Sequence, residues 1–423
     1  MRDGGKLSAA IGVLDDMETR HRPAHMALKH WGEGARYAGS KDRAFVSGLV
    51  LDTLRHRRSL AFAMGEETNR ARCLATLSLL WSWDLDRVQA AASDEHGPGA
   101  MSDVERAALQ MPVDLATAPT PVQGDYPDWL DEHLVGVFGD TRGAQMAALA
   151  ARAPVDLRVN TIKSNLDHVL KVLSALSPQP APFLPNAIRL PAPAAAERSA
   201  PAESAPAFEK GAFEIQDLGS QIAAACAGDI KGKQVLDFCA GGGGKTLALA
   251  AAMGNSGQLY AYDSDARRMK DTVVRSQRAG VRNLQILSPM QTDPLAALMG
   301  RMDLVFVDAP CTGSGTWRRH PDTKWRLTTQ QLEARIVEQD KVLSEAAPYV
   351  KPGGRLVYVT CSVLAEENED RIAAFRAAHP DFDIAAIPVE SVADFVSSQG
   401  FLRLTPLTAG TDGFFTAVLI RQG

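Results

Sequence analysis

From about residue 210 onward, short apolar runs alternate with segments of helical period. Strand-like runs fall at 234–238, 258–262, 284–287, 303–307, 355–360 and 415–421, and helical spacing fills 245–253, 265–279, 329–347 and 365–378. This alternation predicts a mostly parallel sheet covered on both faces, with ligands at the carboxyl ends of its strands. Residues 1–110 show helical periodicity instead. Ala44, Val46, Leu49, Val50 and Leu54 form one apolar stripe, and Leu74, Leu77, Leu79, Leu80 and Trp81 form another. Residues 95–125, rich in Gly, Pro and Asp, read as a linker. Tyr126-Pro127-Asp128-Trp129-Leu130 then starts a helix, Val155 to Asn160 alternates like a strand, and Leu166 to Leu176 is helical. Residues 177–207, rich in Pro and Ala, read as an irregular connection with one strand candidate at Ala187 to Leu190. The pattern divides the chain into an all-α domain (1–115), a small α/β module with its connection (120–207) and an α/β domain (208–423).

Composition narrows the class. With 423 residues, two or three domains are expected. Hydrophobic content of 45% and charged content of 22% are those of a globular chain. A net charge of −5 means that any nucleic-acid contact must come from local basic patches. Five cysteines without paired spacing argue against a disulfide framework and against zinc. No apolar run is long enough to span a bilayer and no apolar signal core opens the chain, so a reducing cytoplasm is expected, with no metal and no membrane partner.

The most telling stretch is Gln234 to Thr246: an apolar run, then Asp237, then Cys239, Ala240, Gly241, Gly242, Gly243, Gly244 and Lys245. It predicts a buried strand, a tight turn and a helix start. A phosphate-binding P-loop would need glycine where Cys239 stands, and a dinucleotide fingerprint anchored on Gly241 would need glycine at Thr246. What remains is a glycine turn with a second acid, Asp263, after the next strand, able to accept hydrogen bonds from ribose hydroxyls. That is the arrangement of S-adenosylmethionine sites on Rossmann-like sheets; the plain alternative is an ordinary α/β turn.

Two further strands end in chemistry. Asp303 to Val307 leads to Asp308-Ala309-Pro310-Cys311, and Arg355 to Val359 leads to Thr360-Cys361-Ser362. Either cysteine alone would pass for core packing. Both at strand carboxyl ends, beside the glycine turn, point to nucleophilic chemistry, which requires a thiolate and therefore nearby cations such as Lys245. The run Trp317 to Arg326 mixes Arg318, Arg319, His320, Lys324 and two tryptophans. It reads either as a surface loop or as a place where single-stranded RNA stacks and pairs. Arg20-His21-Arg22 and Arg55-His56-Arg57-Arg58 likewise read as solvated helix faces or as phosphate contacts.

These motifs, taken in order, resemble the Fmu/Sun family of RNA (cytosine-5) methyltransferases. The resemblance rests on Asp-Phe-Cys-Ala-Gly-Gly-Gly-Gly-Lys-Thr, Asp-Ala-Pro-Cys-Thr-Gly-Ser-Gly, Arg-Arg-His-Pro-Asp, Tyr-Val-Thr-Cys-Ser-Val with Glu366-Glu367-Asn368-Glu369, and Thr411-Asp412-Gly413-Phe414-Phe415. Leu157-Arg158-Val159-Asn160-Thr161 and Gln216 to Gln221 resemble the family too, and the N-terminal helices resemble the NusB-like domain of its bacterial ribosomal-RNA members. The resemblance implies a Rossmann-like methyltransferase domain behind a NusB-like RNA-binding domain and a small α/β RNA-binding module, acting as a monomer. It implies S-adenosyl-L-methionine held by Cys239 to Lys245, Asp263 and Asp308. It also implies Cys361 as nucleophile on carbon 6 of a cytosine, Cys311 in product release, Asp308 on the base edge, and RNA, most readily ribosomal RNA, as substrate. The chain departs from the family pattern at Gly242, where proline is usual, and after the third strand, where no acid precedes Asp293. Transfer RNA as substrate, a non-catalytic ribosome-assembly factor, and a DNA enzyme using the Pro-Cys cysteine are the competing readings.

Overall fold

The computed structural model describes residues 1–197 and 201–423. The chain forms two compact units. The first takes Met1–Arg152, a short stretch beginning at Pro193, and Trp317–Arg326; the second takes the rest. The sequence segment 120–207 is thus shared: its helices up to Ala150 lie in the first unit, and its strands and helix Leu166–Val172 in the second.

The first unit is helical. Helices Asp3–Arg20, Ser40–Arg55 and Asn69–Ala75, with the turn that follows the last, bury Leu7, Val46, Leu49, Val50, Leu74 and Leu77 in one core. Most of the two predicted stripes lies in this core. Leu79 and Leu80 depart from it, at 36% and 39% exposed. They sit in a π-helical turn, Thr76–Leu80, whose extra residue per turn rotates them away from the face that Leu74 and Leu77 occupy. The stretch 95–125 is not a linker. It contains helix Asp103–Gln110, whose start is fixed by a capping box: Ser102 Oγ accepts from the Glu105 N–H at 3.1 Å and the Glu105 carboxylate accepts from the Ser102 N–H at 2.8 Å. A further short helix, Thr120–Gln123, follows. At the centre of this unit the buried Asp52 accepts from Arg55 (2.8 Å), Trp81 Nε1 (2.7 Å) and Arg152 (2.5 Å).

The second unit carries two sheets. Strands β1 (Val155–Val159), β2 (Gln179–Pro180), β3 (Ala187–Leu190) and β4 (Phe213–Ile215) make an antiparallel sheet of order β2-β3-β1-β4. The large sheet contains β5 (Gln234–Asp237), β6 (Gln258–Tyr262), β7 (Leu284–Leu287), β8 (Met302–Asp308), β9 (Val350–Thr360), β10 (Phe382–Ile384), β11 (Leu402–Leu404) and β12 (Phe414–Arg421). Its order is β10-β12-β9-β8-β5-β6-β7, with β11 paired to β12. Strands β5 to β9 are parallel neighbours, while β10, β11 and β12 join antiparallel. The predicted Rossmann-like sheet is present. Strand β5 has β6 on one side and β8 on the other, so the chain turns both ways from it and opens a crevice at its carboxyl end. Among the described residues no helix is long and apolar enough to cross a membrane.

Candidate active site

The register of β8 and β9 decides the chemistry. The strands run parallel with Asp308 opposite Val359, so the residues just beyond each strand meet. Cys311 Sγ and Cys361 Sγ lie 3.4 Å apart. The loop after Cys311 folds back onto β9: Gly315 N–H donates to the Cys361 carbonyl at 2.9 Å, and Gly413 N–H donates to the Gly315 carbonyl at 2.8 Å. Gly315 has no room for a side chain, since a Cβ there would stand 2.1 Å from the Gly413 oxygen. This close approach ties the Thr411-Asp412-Gly413 turn to the cysteine loop. The two thiols are not equivalent. The contact with Cys361, then burial, then the charge of Glu367 push the Cys311 thiol well above its ordinary value, so Cys311 keeps its proton.

Lys245 stands opposite. Its Nζ donates to Asp308 Oδ2 at 2.7 Å and lies 5.3 Å from the centre of the Phe414 ring. Burial works against its charge, but Asp308, Cys361 and Asp237 together hold it above its ordinary value as a cation. The sequence pattern singles out Cys311, Cys361, Asp308 and Lys245, and the structure brings all four together. It adds Gln339, which no local pattern marks as functional, and it joins Thr312 to Glu367, which stand in two separate family motifs. The remaining cysteines differ. Burial, first, then Asp237, Asp263 and Asp308 push Cys239 well up, and burial pushes Cys73 and Cys226 up to about 12.

The glycine turn is a cradle. Gly243 caps helix Gly244–Met253 in the left-handed region, at φ 82°, with no side chain capping the helix start. A Cβ on Gly243 would lie 2.7 Å from Thr272 Oγ1. The first backbone N–H groups of that helix therefore face the crevice without a side-chain partner. Asp263 has a more structural part than the sequence suggests. Its Oδ2 accepts from the Gly241 N–H (2.9 Å), its Oδ1 accepts from the Asp265 N–H (2.9 Å), and Arg268 stands 3.5 Å away. It shapes the turn. Beneath it, Asp237 accepts from Thr246 Oγ1 at 2.6 Å, and its other oxygen is buried without a partner among the described residues. Burial raises its carboxyl to about 7.

Residues 229–420 match the family model of the 16S rRNA methyltransferase RsmB/F, and residues 126–197 match that of the RsmF/B-like ferredoxin-like domain. The ribosomal RNA small subunit methyltransferase B of Citrobacter koseri is 30% identical, over 70% of this chain and 67% of that protein. The probable ribosomal RNA small subunit methyltransferase B of Synechocystis is 29% identical, over 89% of this chain and 91% of that protein. The crystal structure of a methyltransferase homolog protein from Pyrococcus horikoshii is 27% identical, covering 71% of this chain and 97% of that one at a TM-score of 0.59. The chain belongs to the RsmB/F family, the Fmu/Sun methyltransferases. It is an RNA methyltransferase, and its methyl donor is S-adenosylmethionine. The residues present fit that cofactor. Uncapped helix N–H groups suit a carboxylate, the glycine turn admits close approach, and Asp263 offers an acceptor at the next strand.

One expectation about RNA does not survive the structure. The run Trp317 to Arg326 is no open loop. It belongs to the first unit, where Trp317 is 1% exposed, Arg318 4% and Lys324 2%. Lys324 Nζ donates to the Arg55 carbonyl (3.2 Å), Trp325 Nε1 to the Leu54 carbonyl (2.7 Å), and Arg55 to the Arg318 carbonyl (2.9 Å). Arg58 pairs with Asp128, and Arg57 with Glu18. These bases hold helices together. His320 and Arg326 remain exposed.

Proposed function

We propose that this chain methylates carbon 5 of a cytosine in ribosomal RNA, in the cytoplasm, through a covalent adduct on Cys361. The observation that carries the reading is the unequal cysteine pair, 3.4 Å apart, with a Lys245–Asp308 ion pair in the same pocket. Carbon 5 of cytosine is a poor nucleophile. A thiolate added at carbon 6 pushes the ring electrons to carbon 5 and makes it enamine-like. Cys361 is the sulfur suited to attack, because Cys311 retains the shared proton and Lys245 supplies positive charge. Asp308, held by Lys245, hydrogen-bonds the amino edge of the base and steadies the adduct. The glycine turn from Cys239 to Lys245, with Asp263 and Asp308, holds S-adenosylmethionine, which supplies an electrophilic methyl group. Loss of the carbon-5 proton to a base then restores the ring double bond. The carbon–sulfur electron pair returns to Cys361, whose sulfur regains its contact with the Cys311 thiol. The target must be unstacked to reach this pocket, and the helical first unit, read as NusB-like, is where the rest of the RNA would be gripped.

RNA transcribed with 5-fluorocytidine tests the reading, because fluorine at carbon 5 cannot leave as a proton. A protein–RNA band that survives denaturation and needs both S-adenosylmethionine and Cys361 is expected. Its absence with full-length small-subunit RNA would overturn the covalent route. Bisulfite sequencing of RNA from a strain lacking the protein identifies the cytosine.

A further inference from the structure

Beneath the cysteine pair lies a buried acid to which nothing above gives a role in the reaction. Glu367 is 0% exposed and sits in a short turn, Ala365–Glu367, after β9. Its Oε1 accepts from the Thr312 N–H (2.7 Å) and from Gln339 Nε2 (3.0 Å); its Oε2 accepts from Thr312 Oγ1 (2.5 Å). Gln339 Nε2 also donates to the Pro310 carbonyl at 2.9 Å. The residues on both sides of Cys311 are therefore tied to one carboxylate, directly at Thr312 and through Gln339 at Pro310. Gln339 is itself buried, so the link is rigid. From the other side, the Tyr358 hydroxyl donates to the Glu367 carbonyl at 2.6 Å, which fixes the acid to β9.

We propose that Glu367 is a positioning residue for the cysteine pair: it clamps the loop that carries Cys311, and its charge decides which of the two sulfurs carries the proton. The donors to Glu367 are neutral groups; its charge raises the Cys311 thiol, while Arg371 acts against it at the neighbouring Tyr358 hydroxyl. The Lys245 cation, paired with Asp308, feels Cys361. The acid acts on Cys311, and the cation interacts with Cys361. Two thiols in contact share one negative charge most readily on the sulfur away from the acid and towards the cation. Cys361 is thereby made the attacker and Cys311 the thiol in reserve, a deepening that rests on the reading of the two cysteines given above.

Glu367→Gln separates charge from clamp. The amide oxygen still accepts from Thr312 N–H and Gln339, and its NH2 group can donate to Thr312 Oγ1, so the contacts survive while the charge goes. The measurement is iodoacetamide labelling of the full chain across pH 6 to 10, read for each cysteine by mass spectrometry, without RNA. In the unaltered protein Cys361 labels at lower pH than Cys311. In Glu367→Gln the Cys311 profile moves to lower pH, and the ratio of Cys311 to Cys361 labelling near neutrality rises about tenfold, the effect of one pKa unit. A Cys311 profile unmoved by Glu367→Gln overturns the role of the charge. If that variant does not fold, the unaltered protein still decides, since Cys311 labelling ahead of Cys361 overturns the proposal outright. Because labelling needs no RNA, it judges Glu367 alone. The 5-fluorocytidine experiment judges the covalent reading, so the two failures are told apart.

Discussion

Cys311 and Cys361 stand 50 residues apart in the chain and 3.4 Å apart at sulfur, each just past the carboxyl end of its strand. Glu367 acts on Cys311 and Lys245 interacts with Cys361, and the two variants should differ as well. Cys361→Ala removes the attacker, and methyl transfer should fall to background with no adduct. Cys311→Ala leaves attack possible but hinders release, so a slow-migrating, protease-sensitive RNA complex should accumulate on a denaturing gel. The double variant should show none. The complex appearing with Cys361→Ala instead would reverse the assignment.

Lys245 joins the glycine turn to the cysteines. Lys245→Met keeps length and apolar bulk but removes the partner of Asp308 and the cation beside Cys361. Loss of a buried charged group aimed at a developing charge lowers kcat by about 10²–10³-fold. Single-turnover methylation measures it, and an unchanged rate would place the needed cation elsewhere.

Asp237 gives the fold a pH dependence. Its folded-state value of about 7 lies above the ordinary carboxyl value of about 3.9. Between roughly pH 4 and 7 the folded protein keeps a proton that the unfolded chain has released, so stability falls as pH rises through that window. Asp237→Asn cannot titrate and still accepts from Thr246. Its urea midpoint should change less between pH 5 and pH 7 than that of the unaltered protein, and an equal change would mean that Asp237 is already ionised.

The cofactor cradle depends on Gly243. At φ 82° any side chain there costs about 1–2 kcal/mol, before its collision with Thr272. Gly243→Ala should weaken S-adenosylmethionine binding by at least about tenfold in titration calorimetry. Asp263→Ala should weaken it as well, because it releases the Gly241 N–H besides removing an acceptor.

RNA affinity should fall with salt, by a slope of roughly −0.7 per phosphate contacted on a single strand. The buried bases should not contribute to that slope. Burial pushes Lys324 down to about 8, and Lys324→Met should leave the slope unchanged. Exposed Arg326 is the better candidate, and Arg326→Ala should make the slope shallower by about 0.7. A shallower slope for Lys324→Met would show that the segment opens on binding RNA.

The large sheet and most of the site were legible because they are local. A buried strand, an acid and four glycines announce themselves within thirteen residues, and Pro-Cys and Thr-Cys close strands whose apolar runs are unmistakable. Strands β4, β10 and β11 were not, because each is three residues long with a charged centre, as in Phe213-Glu214-Ile215, too short to show a period. Helix Asp103–Gln110 was announced by Ser102 and Glu105, but the surrounding glycines and prolines hid it. Glu367 was illegible as a partner of Cys311 because its contact with Thr312 spans 55 residues. Burial of Lys324 depends on a carbonyl 269 residues away, so no window could distinguish it from a surface base.

The segment Trp317–Arg326 bears on how the protein is made. The first unit takes its N-terminal part from Met1–Arg152 but includes Trp317–Arg326, so a ribosome must add 174 more residues after Arg152 before the unit is complete at Arg326. At 5–20 residues per second that is a wait of roughly ten to thirty-five seconds. During it Leu54 and Arg55 lack the Trp325 and Lys324 that cover them, and the cradle for S-adenosylmethionine emerges first. The helical unit is thus started early and finished late.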